Sequence, residues 1–342
     1  SCIASVTGSW EHEGGGAFHN NGAIFHWDKT LIEGLDVKDD SVRMLDMSRI
    51  GAVLLGDKSD IGTGPPVTAL FIQNMNPVQV APEQRRVKQG FLREDLFVCT
   101  HEQFMTPTAR MSDIVLPATM FLEHDDVYQG GGHQYIQAGL KLMEPPGECR
   151  SNHDVICALA KRVGAVHRGF DMSPRELIDA TLQASGWGTL ADLEAGRWID
   201  CQPDFRTSHF LDGFGYADKK FRFAPDWPQV PTPRKYEWGL SELPPRLPDH
   251  WDVNEKVDAR HTFKLATSPA RGYLNSSFNE MPSSREREGR PRAKMNPADL
   301  KRLGIKDGQK IRMGNERGMI GLWAESFEGV QPGVVIVESI AP

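Results

Sequence analysis

The chain has no Cys-x-x-Cys pair, no His-x-x-x-His, no dense run of Lys and Arg, and no long apolar stretch. The first two absences argue against a zinc or iron–sulfur site built from these residues alone. The third, with a formal net charge of −7, argues against a nucleic-acid partner. The fourth leaves no segment near the roughly 18–20 apolar residues that span a bilayer. No Gly-x-Gly-x-x-Gly follows a predicted strand, so a nucleotide-binding turn of that kind is missing too. The five cysteines (Cys2, Cys99, Cys149, Cys157, Cys201) are scattered and read as reduced or buried thiols, which points to a cytoplasmic protein. The chain does not begin with Met, and Ser1–Thr7 reads as the tail of a helix entered midway, so the amino terminus is expected not to be the natural one.

What is present starts with Val67–His124. Three short apolar runs, Val67–Ile72, Leu96–Cys99 and Ile114–Leu116, have the length of strands buried on both faces, as in a parallel sheet. Roughly 20 residues separate the first two, enough for a crossover helix. Each run stops at a polar cluster: Asn74-Met-Asn76-Pro77, Thr100-His101, and Pro117-Ala-Thr119 leading to Glu123-His124. Ligands of open α/β sheets sit beyond the carboxyl ends of the strands, so these clusters predict a polar, extended ligand along one sheet edge.

At 342 residues, with 25% charged and 39% hydrophobic residues, the chain has material for two or more domains of ordinary composition. Gly14–Gly16 is a loop that a ligand could approach closely, or simply a flexible one. Met47–Leu55 is a helix or a strand; periodicity does not decide at that length. Thr106-Pro107 marks a helix start. Glu123-His124-Asp125-Asp126 suggests a metal only weakly, because no partner spacing supports it. Ser151–Val163 is the clearest helix, capped by Ser151 with Asp154 three residues on, with Val155, Ile156, Leu159, Ala160 and Val163 inward and Gly164 ending it. Ser173-Pro174-Arg-Glu176 opens another. Residues 203–262, rich in Pro and aromatics, read as an ordered connecting segment. From Thr262 the pattern is mostly β, with a helix from Asn296-Pro297 to Gly304, then Gln309–Met313, Met319–Glu325 and Val334–Glu338. A small closed barrel is predicted there, and its last strand has no evident partner.

Assembled, NMNPVQ (74–79), CTHEQFMTPTARMSDIVLPATMFLEHDD (99–126), GGGHQYIQ (130–137), PPGECRSN (145–152), SPARGYLNSSF (268–278) and MNPADLKRLGIKDGQKIRMGNERG (295–318) resemble the molybdenum/tungsten bis-pterin oxidoreductases. That group contains formate dehydrogenases, nitrate reductases and dimethyl sulfoxide reductase. The motifs run in the family's order over nearly the whole chain. The resemblance implies an α/β fold with an open, mostly parallel sheet and flanking helices, followed by an incomplete double-psi β-barrel. The implied domains are 1–45, a remnant of a preceding α/β domain; 46–200, the α/β cofactor domain; 201–261, the connecting segment; and 262–342, the barrel. It further implies a C-terminal portion of a longer enzyme, unable to turn over by itself. Nothing here matches the family's metal-ligating residue or its iron–sulfur segment, so no catalytic or metal-binding residue is assigned.

The implied cofactor is molybdopterin guanine dinucleotide with Mo or W, with an iron–sulfur cluster to be sought upstream. Implied partners are that pterin and an electron-transfer subunit. Carried over position by position, Asn76, Thr100, His101, His124 and Asn152 would meet the dinucleotide from the sheet. Ser268, Arg271, Asn275 and Ser276 would meet it from the barrel loop. Asn152 stands where several relatives have Asp, and one amide oxygen cannot accept a pair of guanine N–H groups as a carboxylate does. Each residue also has a structural reading. Thr100 can cap a turn, His101 can satisfy a backbone carbonyl, and Asn152 can share the helix cap with Ser151. Two other functions stay open: a scaffold subunit that keeps the fold without pterin, as in complex I, and an unrelated nucleotide-binding α/β enzyme.

Overall fold

The computed structural model describes residues 2–17, 21–226, 247 and 256–339. In chain order its main elements are α1 (Ile50–Leu55), β1 (Ala69–Gln73), α2 (Gln84–Phe91), β2 (Phe97–Glu102), β3 (Ile114–Pro117), β4 (Asp126–Tyr128) and β5 (Tyr135–Gly139). There follow α3 (Asn152–Val163), α4 (Pro174–Ala184), α5 (Leu190–Gly196), β6 (Trp198–Asp200) and β7 (Lys264–Pro269). The last are α6 (Pro282–Glu288), β8 (Arg292–Met295), α7 (Pro297–Leu303), β9 (Lys310–Asn315), β10 (Gly318–Ser326) and β11 (Val334–Ser339). Much of the expected connecting segment, and the last three residues, lie outside the described residues.

Two compact units form. One comprises Ser1–Val37, Asp125–Leu142 and Val166–Val253; the other Lys38–His124, Met143–Ala165 and Asn254–Pro342. In the first unit β4, β5 and β6 make an antiparallel sheet. Its core joins Phe25, Ile136, Leu182, Leu190, Leu193 and Cys201. Helix α4 opens with a full capping box between Ser173 and Glu176, as its Ser-Pro-Arg-Glu start predicts. The triple glycine has a local use: a methyl group on Gly16 would stand 2.6 Å from the Trp10 ring.

In the second unit β1, β2 and β3 form the expected parallel sheet, with Ala69 opposite Phe97 and Cys99 opposite Ile114. The chain between β1 and β2 contains α2, the crossover the spacing calls for. Met47–Leu55 resolves as helix, a 3-10 turn running into α1. Leu54, Ile72, Val78, Val87, Phe91, Leu96 and Val98 bury one face of the sheet. Helices α1 and α2 approach so closely that a Cβ on Gly90 would lie 2.6 Å from Leu54 Cβ. Burial on both faces is not observed. Phe71, Phe97 and Ile114 are 39–48% exposed, because successive strand side chains alternate sides and the described helices cover only one of them.

Helix α3 has its complete capping box, with Ser151 accepting from Asp154 N and Gly164 left-handed at its end. Its inward stripe is narrower than the pattern suggests. Val155 and Ala160 are buried, whereas Ile156, Leu159 and Val163 are exposed, Val163 by 78%.

The carboxyl-terminal part is a five-stranded mixed sheet ordered β7-β11-β8-β10-β9; β7 and β9 are its edges, so among the described residues it does not close into the small barrel expected. Pairs β7/β11 and β8/β10 are parallel; β8/β11 and β9/β10 are antiparallel. Ala293, Met295, Leu300, Leu322, Ala324, Val335 and Val337 fill it. Asn296 caps α7 by accepting from Ala298 N. Buried Asp299 accepts from Arg302 and, at 2.7 Å, from Gly333 N, tying α7 to the start of β11. The Arg302 hydrogen bond is the main reason its carboxyl lies below the usual range.

Candidate functional site

The parallel register sets Gln73, last in β1, beside His101 in β2. Gln73 Nε2 lies 3.1 Å from His101 Nδ1 and donates at 3.1 Å to Asn152 Oδ1 at the start of α3. His101 Nε2 lies 3.1 Å from the Arg150 carbonyl. Carbonyl and amide together define the imidazole: Nε2 carries the proton and donates, Nδ1 accepts from Gln73. Arg150 itself runs parallel beside β3, its N–H donating to Pro117 O and its carbonyl also accepting from Thr119 N. That strand-like approach delivers the first turn of α3 to the ends of β1 and β2.

This network brings two expected residues together, His101 and Asn152, through Gln73, which sequence reasoning passed over. Gln73 sits at the boundary between an apolar run and a polar cluster, and the signal available was its place as the last residue of a strand. Gln73 Oε1 and Asn152 Nδ2 have no protein partner among the described residues, leaving one acceptor and one donor on the network. Ser151 alone makes the capping bond of α3, so Asn152 is not needed as a cap.

Other expected residues are placed differently. Thr100 is fully buried and its hydroxyl bonds Ser112 Oγ at 2.6 Å, a tie between β2 and the turn before β3. Asn76 is buried too: its Oδ1 accepts from Thr108 Oγ1 at 2.7 Å and its Nδ2 donates to Gln79 at 2.9 Å. His124 Nδ1 meets Thr119 Oγ1 at 2.8 Å. The Thr119 carbonyl accepts from Gln103 just past β2. The structure therefore does not join Asn76 to the His101–Asn152 network.

Glu102 is a second residue the sequence reading missed. Half-buried at the end of β2, it accepts from Gln103 N at 2.7 Å. Burial pushes its carboxyl above the ordinary glutamate range, partly offset by the backbone N–H groups of Gln103 and Phe104. Among the described residues no group of three or more His, Cys, Asp or Glu could hold a metal ion.

In the same compact unit the barrel loop holds the remaining candidates. Ser268 is near the end of β7 and Arg271 is exposed just after it. Asn275 and Ser276 form the tip of a turn closed by mutual Leu274–Ser277 backbone bonds, with Asn275 left-handed at φ 52. Three residues beyond lies Asn279, only 1% exposed, whose Nδ2 and Oδ1 have no hydrogen-bond partner among the described residues.

The chain matches the family model described as Molybdopterin oxidoreductase over residues 3–162, and that described as Molydopterin dinucleotide binding domain over 263–342. The chain belongs to the molybdopterin oxidoreductase family. Among curated relatives it is 34% identical to the "Probable oxidoreductase YoaE" of Bacillus subtilis, over 99% of this chain and 48% of that protein. It is 27% identical to the "Dimethyl sulfoxide/trimethylamine N-oxide reductase" of Rhodobacter capsulatus, over 79% of this chain and 35% of that one. The chain thus spans about half, or less, of these relatives. Among solved structures, acetylene hydratase from Pelobacter acetylenicus superposes with a TM-score of 0.66 at 19% identity, over 86% of this chain and 39% of that chain. The likeness confirms the fold class.

The residues present fit the pterin cofactor of this family. An extended heterocycle with a pyrophosphate needs donors and acceptors along a strand-end edge, and the free groups of Gln73 and Asn152 offer one of each. The unpartnered buried amide of Asn279 is a second fit, because native proteins rarely leave such a group unmatched.

Proposed function

We propose that this chain is the cofactor-gripping, carboxyl-terminal portion of a molybdenum or tungsten bis-pterin oxidoreductase. Its domains would be those expected: an α/β cofactor domain at 46–200 and the barrel at 262–342. The observation that carries this reading is the Gln73–His101–Asn152 network, which aligns polar groups from two strand ends and one helix start. Bound there, the guanine dinucleotide cofactor would supply the metal chemistry of a two-electron or oxo-transfer reaction.

The chain's own residues would bind and orient. Gln73 and Asn152 would take a heterocycle edge, with His101 locking Gln73 in place. Arg271, exposed and cationic, would meet phosphate, and Ser268, Asn275 and Ser276 would add hydroxyl and amide contacts. Asn76 and Thr100 would act one layer beneath, holding the strand ends in register. His124 would contact the dinucleotide beside Thr119.

The metal ligand and any iron–sulfur cluster would come from other parts of the protein, so the 342 residues alone would not turn over. An electron-accepting subunit would be the natural partner, in the cytoplasm. Among the described residues no helix is long and apolar enough to cross a membrane.

The test is metal and pterin analysis of the natural gene product purified without oxygen. Molybdenum or tungsten with guanine-linked pterin is expected. A gene product expressed beside the cofactor's biosynthetic enzymes yet devoid of both would favour the scaffold reading.

A further inference from the structure

Asn279 is the buried side chain of this protein that the described residues leave most completely unmatched. Both ends of its amide lie out of solvent without a partner, on a residue 1% exposed. Around it the backbone is held under local strain. Asn275 and Phe278 both take left-handed φ values, 52 and 70, which for a phenylalanine is an outlier. Phe278 is turned outward, 52% exposed, while the polar Asn279 is turned inward. That inverts the usual choice of which side chain to bury.

The strain is maintained from one side. Arg285, on α6, donates Nε to the Asn279 carbonyl and Nη2 to Glu280 at 3.1 Å, which clamps the backbone of the turn. On the other side, the backbone bonds of Leu274, Ser277, Asn279 and Met281 close within the loop itself. Gly272 N–H donates to Glu288 on α6, so the loop is held to that helix at its start as well as at Asn279 and Glu280.

We infer that Asn279 is a ligand-contacting residue of the pterin dinucleotide site. Its amide is kept unpaired in the free protein to donate to, and accept from, a heterocycle edge carrying an adjacent acceptor and N–H. Arg285 is its positioning residue. This rests on the function proposed above and names a residue toward that same cofactor. A bound heterocycle supplies both missing hydrogen bonds at once, so binding relieves a penalty that the free loop carries.

The consequence is a separation of two quantities that move together for a structural asparagine. In the natural gene product, Asn279→Leu keeps the branched heavy-atom outline and removes the unpaired amide. Pterin content per protein, read by fluorescence after acid oxidation, falls by about tenfold or more. The melting temperature of the cofactor-free variant stays level or rises. Asn279→Asp, which keeps an acceptor and loses the donors, also loses pterin. A Leu variant that loads pterin as well as wild type overturns the inference, because the amide is then served by water or by nothing. A fall in the cofactor-free melting temperature overturns it as well, since it marks a packing role. Wild-type protein without any pterin overturns instead the function on which the inference stands.

Discussion

The strand-end network and the barrel loop, both in the second compact unit, handle buried polarity in opposite ways. At the strand ends every enclosed group is matched: Asn76 with Thr108 and Gln79, Thr100 with Ser112, His101 with Gln73 and Arg150. In the barrel loop Asn279 is matched by nothing among the described residues. A satisfied buried network rigidifies, whereas an unsatisfied group stores free energy that a ligand can release. The first region is built as a closed frame and the second keeps one buried amide open.

The hardest blow to the frame should be Asn76→Ala. It leaves the Thr108 hydroxyl proton and the Gln79 side-chain carbonyl without their partner around a cavity, and is expected to cost about 2–4 kcal/mol. Urea denaturation of the natural gene product measures it; a loss within error of zero would mean that Asn76 does not pin the frame. Next comes His101→Leu, which leaves the Arg150 carbonyl with Thr119 N–H alone and one Gln73 proton unmet, for roughly 1–3 kcal/mol of stability. Freed from His101, Gln73 should also hold the dinucleotide less well, so pterin content should drop. Stability lost with pterin content intact would restrict His101 to the structural role that its bond to Arg150 already shows.

Glu102→Gln should give the smallest effect, with the opposite sign. Burial raises the folded-state pKa of Glu102, so the folded protein holds that proton more tightly than the unfolded chain. The penalty for the charged form is therefore absent below the unfolded value and grows as pH rises through the folded one. Neutralising the residue should raise the melting temperature at neutral pH, and the gain should vanish in acid. An equal gain at all pH values would trace the effect to packing instead of charge.

Much of this contrast could be read in advance. The three strands, the crossover, the boxes at Ser151 and Ser173 and the Asn296–Gly304 helix follow from local rules of period and capping, which need no distant partner. Within the site, His101 and Asn152 were legible because each follows a strand or opens a helix at a ligand-binding edge. Gln73 was not, since its meaning comes from the parallel register that sets it beside His101. Asn76 had the right type and position, but its amide is already taken by Thr108, a residue 32 positions away. The exposed flank of α3 was equally hidden, because a stripe records which residues are apolar and not whether a neighbour covers them.

The sequence by itself thus determined the element order, the caps and the family, because these depend on short-range sterics and on motifs that survive as strings. Only the tertiary structure decided which polar groups are satisfied. A hydrogen bond needs two partners at about 3 Å, and folding brings those partners together from opposite ends of long loops. Gln73, Glu102 and Asn279 gained their meaning there.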